Sequence, residues 1–186
     1  MSKPSQPKSG SALSGGQRKT GESAADTDPI EHSRQSWVEH GWGDPEVMSV
    51  VASIVRSRRL LSTMIDTALR PLDLTYTRFE ALGLLYFSPT GELPLGKISE
   101  RLQVRPATIT SVVDRLEKQG LLRRTRPDGD RRVTLATITP AGRAIVEKAT
   151  TIIVDDVFSA MPWSKGELKT LFDLLAQLRH QAGDFS

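Results

Sequence analysis

The 186-residue chain contains no cysteine, which excludes disulfides, thiolate zinc sites and a cysteine redox sensor. No apolar run approaches the ~20 residues of a membrane span and no signal-type hydrophobic segment stands at the N-terminus, so a cytoplasmic protein with no membrane partner is predicted. The net charge of +3 decides little by itself, and the length suits one ordinary domain with a sizeable core plus tails.

Residues 1–27 are rich in Ser, Gly, Lys and Pro with almost no large apolar side chain, and a disordered basic tail is expected there. Residues 28–43, DPIEHSRQSWVEHGWG, predict a short extra N-terminal helix, whose Trp37 and Trp42 either pack it onto the body or wall a ligand pocket. Asp44-Pro45-Glu46 is a helix start of cap, proline and first-turn acid, and the helix it opens should run to about Leu69 and stop at Arg70-Pro71. Val47, Val51, Ile54, Leu61, Ile65 and Ala68 mark its expected buried side. Further apolar residues (Met48, Val50, Val55, Leu60, Met64) widen that stripe enough to suggest that it also meets a partner subunit. Thr75 caps a second helix through about Phe87, and Ser88-Pro89-Thr90-Gly91 breaks the chain. Pro94 opens a short helix, LGKISERL, separated from the next by only Gln103-Val104-Arg105, which is a helix-turn-helix connection.

The next stretch, 105–132, concentrates the positive charge. Residues 97–132 hold 10 of the 25 Lys and Arg against 5 Asp and Glu, whereas 28–96 and 133–186 are both net acidic. On charge alone a solvated basic loop and a phosphate-binding surface read equally well. The residue pattern separates them. Pro106 suits a first helical position, and Ile109, Val112, Val113 and Leu116 form one apolar stripe. Thr108, Ser111 and Arg115 fall on another face, where short hydroxyls beside an arginine suit base edges and phosphates. Arg115 pairing with Asp114, Glu117 or Gln119 on a solvated face is the alternative. Gly120 stops the helix, LLRRTR reads as a strand, Pro127-Asp128-Gly129-Asp130 as a turn, and VTLATI beyond Arg131-Arg132 as a second strand.

Thr139-Pro140 repeats the cap-plus-proline start for a helix through about Phe158, and Ser164-Lys165-Gly166-Glu167 is a capping box. The last helix carries Leu168, Leu171, Phe172, Leu175 and Leu178 on one side. The fold class is therefore mainly α with a small β-hairpin wing: a winged helix-turn-helix at 75–138, with helices at 44–74 and 139–186 forming a dimerisation domain. A homodimer matches a palindromic operator on double-stranded DNA. An enzyme is not expected: His32, His40 and His180 have no partners at metal spacing, and no nucleophile elbow, P-loop or dinucleotide fingerprint occurs. Neither a metal nor a cofactor is called for. The competing class is an architectural DNA-binding protein without a ligand switch, which would protect DNA with little sequence preference.

With LTYTRFEALGLL, LPLGKISERLQVRPATITSVVDRLEKQGLLRR and DGDRRVTLATITPAGRAIV in view, residues 44–183 resemble the MarR family of bacterial transcriptional regulators. WVEHGWGDPE resembles branches of that family with an extra N-terminal helix. The resemblance implies a ligand-responsive regulator, expected to be a repressor, with the 106–119 helix in the major groove and the 127–132 loop in a minor groove. It implies DNA contacts from Thr108, Thr110, Ser111 and Arg115 on the helix, and from Arg126, Arg131 and Arg132 on the wing. Asp130 takes the place of an orienting carboxylate that holds a wing arginine. Where many relatives place a serine cap, Arg105 stands here and adds a cation at the phosphate edge. A small-molecule effector, an anionic aromatic or carboxylate compound or its coenzyme A thioester, is implied between the dimer helices and the DNA-binding lobe. Candidate effector residues are Arg56, Arg59 and Arg78 for the anion, with His40, Trp42 and Tyr76 as walls.

Overall fold

The computed structural model describes residues 28–126 and 133–185; the expected tail at 1–27 and the wing tip with Asp130, Arg131 and Arg132 lie outside them. The chain divides into two compact units with the boundary between Val55 and Arg56.

In the first unit, Asp28 caps α1 (Pro29–His40) by accepting from the Ile30 amide at 2.9 Å, and Gly41 ends it in left-handed backbone at φ 64°. Asp44 opens α2 (Pro45–Leu69) by accepting from the amides of Glu46 and Val47, the cap anticipated from Asp44-Pro45. Arg34 bonds Glu31 within α1 and reaches Glu46 at the start of α2, so one guanidinium links the two helices. Trp37 joins Asp44, Val47, Met48, Val51, Ala52 and Val55 around an apolar cleft of about 610 Å³. Trp42 is not among its walls: 56% exposed, it packs edge-on against Trp37 and tilts over His40.

The second unit takes in the last turns of α2 and everything after it. A 3-10 turn (Arg70–Leu72) and α3 (Tyr76–Tyr86) follow, then β1 (Glu92–Pro94), α4 (Leu95–Leu102), α5 (Pro106–Lys118), β2 (Leu122–Thr125), β3 (Leu135–Ile138), α6 (Pro140–Asp156) and α7 (Lys165–Gln181). The hairpin expected from the sequence is a three-stranded antiparallel sheet in the order β1-β3-β2. Its extra strand is the stretch ahead of α4, with Glu92 opposite Thr137 and Pro94 opposite Leu135. Pro94 thus ends a strand at the sheet edge, where its missing N–H costs no ladder bond, and serves as the residue before α4 rather than its first turn.

One core holds this unit together. Leu82 and Leu85 of α3, Ile98 of α4, Ile109, Val113 and Leu116 of α5, Leu122, Ala136 and Ile138 of the sheet, and Val146, Ala149 and Ile153 of α6 are all buried in it. From α2 only Ile65 and Leu69 enter the core. Val47 and Val51, read from periodicity as part of a buried side, are 58% and 55% exposed. Helix α7 buries no residue, although its capping box forms as expected, with Ser164 and Glu167 each accepting from the other's amide.

Candidate nucleic-acid interface

The two helices of the helix-turn-helix are joined by a tight turn that needs left-handed backbone at Gln103, φ 51°. Ser99, buried in α4, donates from Oγ to the Val104 carbonyl at 2.7 Å and so ties the turn back onto its first helix. Helix α5 then presses Ile109, Val113 and Leu116 into the core. The opposite face is thereby forced outward: Thr108, Thr110, Ser111 and Arg115 are all exposed. Thr110 donates its hydroxyl to the Pro106 carbonyl at 3.1 Å, which leaves the oxygen lone pairs facing solvent as acceptors. Arg105 precedes α5 without a side-chain cap bond, so its guanidinium is the cation at the helix entry that the sequence suggested. Arg101, Lys118, Arg123 and Arg126 are exposed as well, and extend the basic surface along α4, the end of α5 and β2.

Two arginines that look equivalent in the sequence have different roles. Arg123 is exposed, whereas Arg124 is clamped to the outer side of α5. Its Nε donates to Glu117 at 2.7 Å, its Nη1 to Asp114 at 2.5 Å, and its backbone amide to the second oxygen of Glu117 at 3.0 Å. The Arg124 side chain, helped by that amide, holds the Glu117 carboxyl below the usual carboxylate range. The clamp sets the exit angle of the wing strand relative to the helix. Its signal was present in the sequence as two acids three apart on one helix face, seven residues before an arginine in a strand. Arg124→Ala should lower stability by no more than about 1 kcal/mol, because the pair is a third exposed and screened. The same variant should loosen the wing, raising amide exchange in 122–125 above that of α5; equal protection in both proteins would rule the clamp out.

Arg115 does not pair with Asp114, Glu117 or Gln119. Its Nη2 donates to Asp73 at 2.5 Å, a residue 42 positions earlier. The wing base is anchored at the other end: Thr139 donates its amide to the Leu121 carbonyl and its hydroxyl to the Gly120 carbonyl, while that hydroxyl oxygen caps α6 at Gly142.

The effector candidates are spread out. His40 and Trp42 belong to the first unit, and Arg56, Arg59, Tyr76 and Arg78 to the second. His40 turns its ring Nδ1 to the Ser36 carbonyl at 2.7 Å, so this nitrogen is spent within α1. Arg56 and Arg59 are exposed on α2, where Arg59 shares a shallow groove of about 260 Å³ with Arg58, Ser62 and Thr63. Tyr76 and Arg78 stand together in the first turn of α3. The Tyr76 amide bonds the Asp66 carboxylate at 2.6 Å, and the Arg78 guanidinium bonds the Asp73 carbonyl at 2.7 Å. Glu80, which no sequence argument singled out, is half-buried on the same helix, and burial raises its carboxyl above the usual range. Among the described residues no cluster of His, Asp or Glu is placed to hold a metal ion, and no helix is long and apolar enough to cross a membrane.

The sequence model of the MarR family matches residues 74–134, from just ahead of α3 to just before β3. The regulator PecS of Dickeya dadantii is 30% identical over 140 residues, covering 73% of this chain and 82% of PecS. The chain spans between 54% and 64% of the length of the first curated relatives it matches. Among solved structures, Sco5413 of Streptomyces coelicolor, a MarR family transcriptional regulator, is 42% identical with a TM-score of 0.70, over 77% of this chain and 99% of that one. Sco3205 from the same organism, a MarR family regulator solved in complex with DNA, has the same fold at 21% identity and a TM-score of 0.65, over 75% and 89% of the two chains.

Proposed function

Because the chain belongs to the MarR family of transcriptional regulators, we propose that it binds a palindromic operator as a homodimer and is released from it by a small-molecule effector. The observation that carries this reading is the division of α5 into a buried apolar side and an exposed side of Thr108, Thr110, Ser111 and Arg115, flanked by exposed cations at Arg105, Arg123 and Arg126. A helix so divided has the shape and the donors to enter a major groove, with the hydroxyls on base edges and the cations on phosphates. The wing arginines Arg131 and Arg132, with Asp130 to orient them, supply the minor-groove contact in this reading, where the narrow groove concentrates negative potential. Sco3205, solved with DNA, supports the docking of this fold on a duplex.

The protein acts in the cytoplasm, as a repressor. Its effector is an anionic aromatic or carboxylate compound, or the coenzyme A thioester of one. Among the candidate positions, Arg78 is the strongest anchor for such an anion. Its guanidinium is held by Asp73 near the start of α3, where the amide dipoles also favour negative charge.

The deciding experiment is a footprint on the DNA flanking the protein's own gene, repeated with Arg115→Ala. A short, two-fold symmetric protected site is expected, and Arg115→Ala should weaken it by ~1–3 kcal/mol while relaxing preference at particular base pairs. Protection spread evenly over the fragment would favour an architectural binder and overturn the regulator reading.

A further inference from the structure

The turn that leaves α2 carries a cluster that neither the fold nor the recognition face explains. Asp73 sits there in left-handed backbone at φ 51°, and side chains of two other helices converge on it. Arg78 of α3 donates from Nη1 to its carbonyl oxygen at 2.7 Å. Gln119, at the end of α5, donates from Nε2 to the same carbonyl at 3.1 Å and to Oδ2 at 2.9 Å. Arg115 donates from Nη2 to Oδ2 at 2.5 Å. Gln119 makes these bonds with its own Oε1 buried and unpaired among the described residues.

Stability is a poor account of this arrangement. The Arg115–Asp73 pair is more than half exposed on both sides, and pairs of that kind contribute little. What the pair does supply is orientation. A guanidinium is a rigid planar fork with five N–H groups, and an N–H of Nη2 committed to Asp73 fixes the plane while the remaining N–H groups stay free. A free pair of parallel N–H donors matches the N7 and O6 acceptors of guanine in the major groove. Arg115 lies on the same exposed face of α5 as Thr108 and Ser111, two turns beyond the first and one beyond the second.

We propose that Asp73 is a positioning residue for base readout: it buttresses Arg115 so that the open edge of the guanidinium meets a guanine in each half-site. The inference rests on the reading of α5 as the recognition helix. Operator preference then depends on a residue outside the helix-turn-helix, on the turn that ends α2.

The test uses the full-length protein, the operator found by footprinting, its single-base-pair variants and a random duplex. Asp73→Gly removes the carboxylate and accepts φ 51° without strain; Asp73→Asn keeps a neutral acceptor and also tolerates that backbone. Asp73→Gly should cut the preference for operator over random DNA about tenfold, the size of one lost base contact, with Asp73→Asn in between. The loss should fall at the G·C positions that Arg115→Ala also relaxes, and affinity for the random duplex should not drop, since a negative charge beside the phosphates has gone. In the Arg115→Ala background, Asp73→Gly should change the preference no further. The proposal is overturned by an unchanged preference in Asp73→Gly, by a loss spread over every operator position, or by an equal loss in the Arg115→Ala background. Full preference retained by Arg115→Ala alone would instead remove the contact itself, and the recognition role of Arg115 with it.

Discussion

Among the described glycines, Gly142 is the one where an added methyl should do the most damage. A Cβ at Gly142 would stand 2.1 Å from the Leu121 carbonyl oxygen and 2.8 Å from Cγ1 of Ile138. Neither neighbour can yield cheaply. The Leu121 carbonyl accepts from the Thr139 amide at 3.1 Å, Ile138 is buried at the end of β3, and Gly142 itself donates to the Thr139 hydroxyl that caps α6. Room for the methyl requires parting the first turn of α6 from the base of the wing, which breaks the cap and the Leu121–Thr139 bond together. Overpacking of a tight site costs typically about 1–3 kcal/mol, occasionally more, and lost caps add about 1 kcal/mol. For a domain of ordinary marginal stability that is a large part of the whole. The expected result is a urea midpoint far below the parent's, with wing and α6 losing exchange protection first. Gly83→Ala is the matched control: its Cβ would meet nothing within 4 Å in a helix interior, and it should leave stability unchanged or raise it by about 0.5–1 kcal/mol. A parent-like midpoint for Gly142→Ala would show that α6 and the wing base are not locked together.

The sequence displayed Gly142 two residues after the Thr139-Pro140 helix start, but not the reason for it. The difference follows from the range of the interactions. Caps and helix stops are decided within four residues, and those at Asp44, Thr75, Thr139, Ser164 and Gly120 were all legible. The exposed face of α5 was legible too, because a stripe of apolar residues at helical spacing dictates which side turns outward. Three features were not. Strand β1 is short, ends in proline and has no alternation to recognise; it exists because β3 offers it a partner more than 40 residues away. The partner of Arg115 is Asp73, and no local pattern distinguishes that acid from Asp114 or Glu117, which lie closer in sequence and serve Arg124 instead. On α2, periodicity identified an apolar side without saying what covers it, and Val47 and Val51 remain exposed in the single chain.

Exposed apolar side chains on α7 underlie the second large effect, loss of operator binding when that helix is made polar. On the proposed homodimer reading, Leu171→Glu combined with Phe172→Glu should give a monomer in sedimentation where the parent sediments as a dimer. The argument starts from exposure. Leu168, Leu171, Phe172, Leu174 and Leu178 are each at least 40% exposed on one 17-residue helix, with Phe172 at 63%, and α7 buries nothing of its own. Burial of such side chains against a partner copy is worth about 25 cal/mol per Å², and two glutamates at its centre would have to lose their hydration for no compensating bond. Neither position belongs to the buried core, so the second unit should keep its fold and its thermal transition. DNA binding should nevertheless collapse. A dimer engages two half-sites at once, and linking two sites in this way multiplies affinity by about 10²–10⁴, an advantage that a monomer forfeits without losing any DNA-contacting residue. Affinity for an isolated half-site should therefore match the parent's while affinity for the full operator falls by that factor. A double variant that still sediments as a dimer, or a monomer that holds the full operator as tightly as the parent, would place the subunit contact elsewhere and leave the exposed face of α7 without a role in recognition.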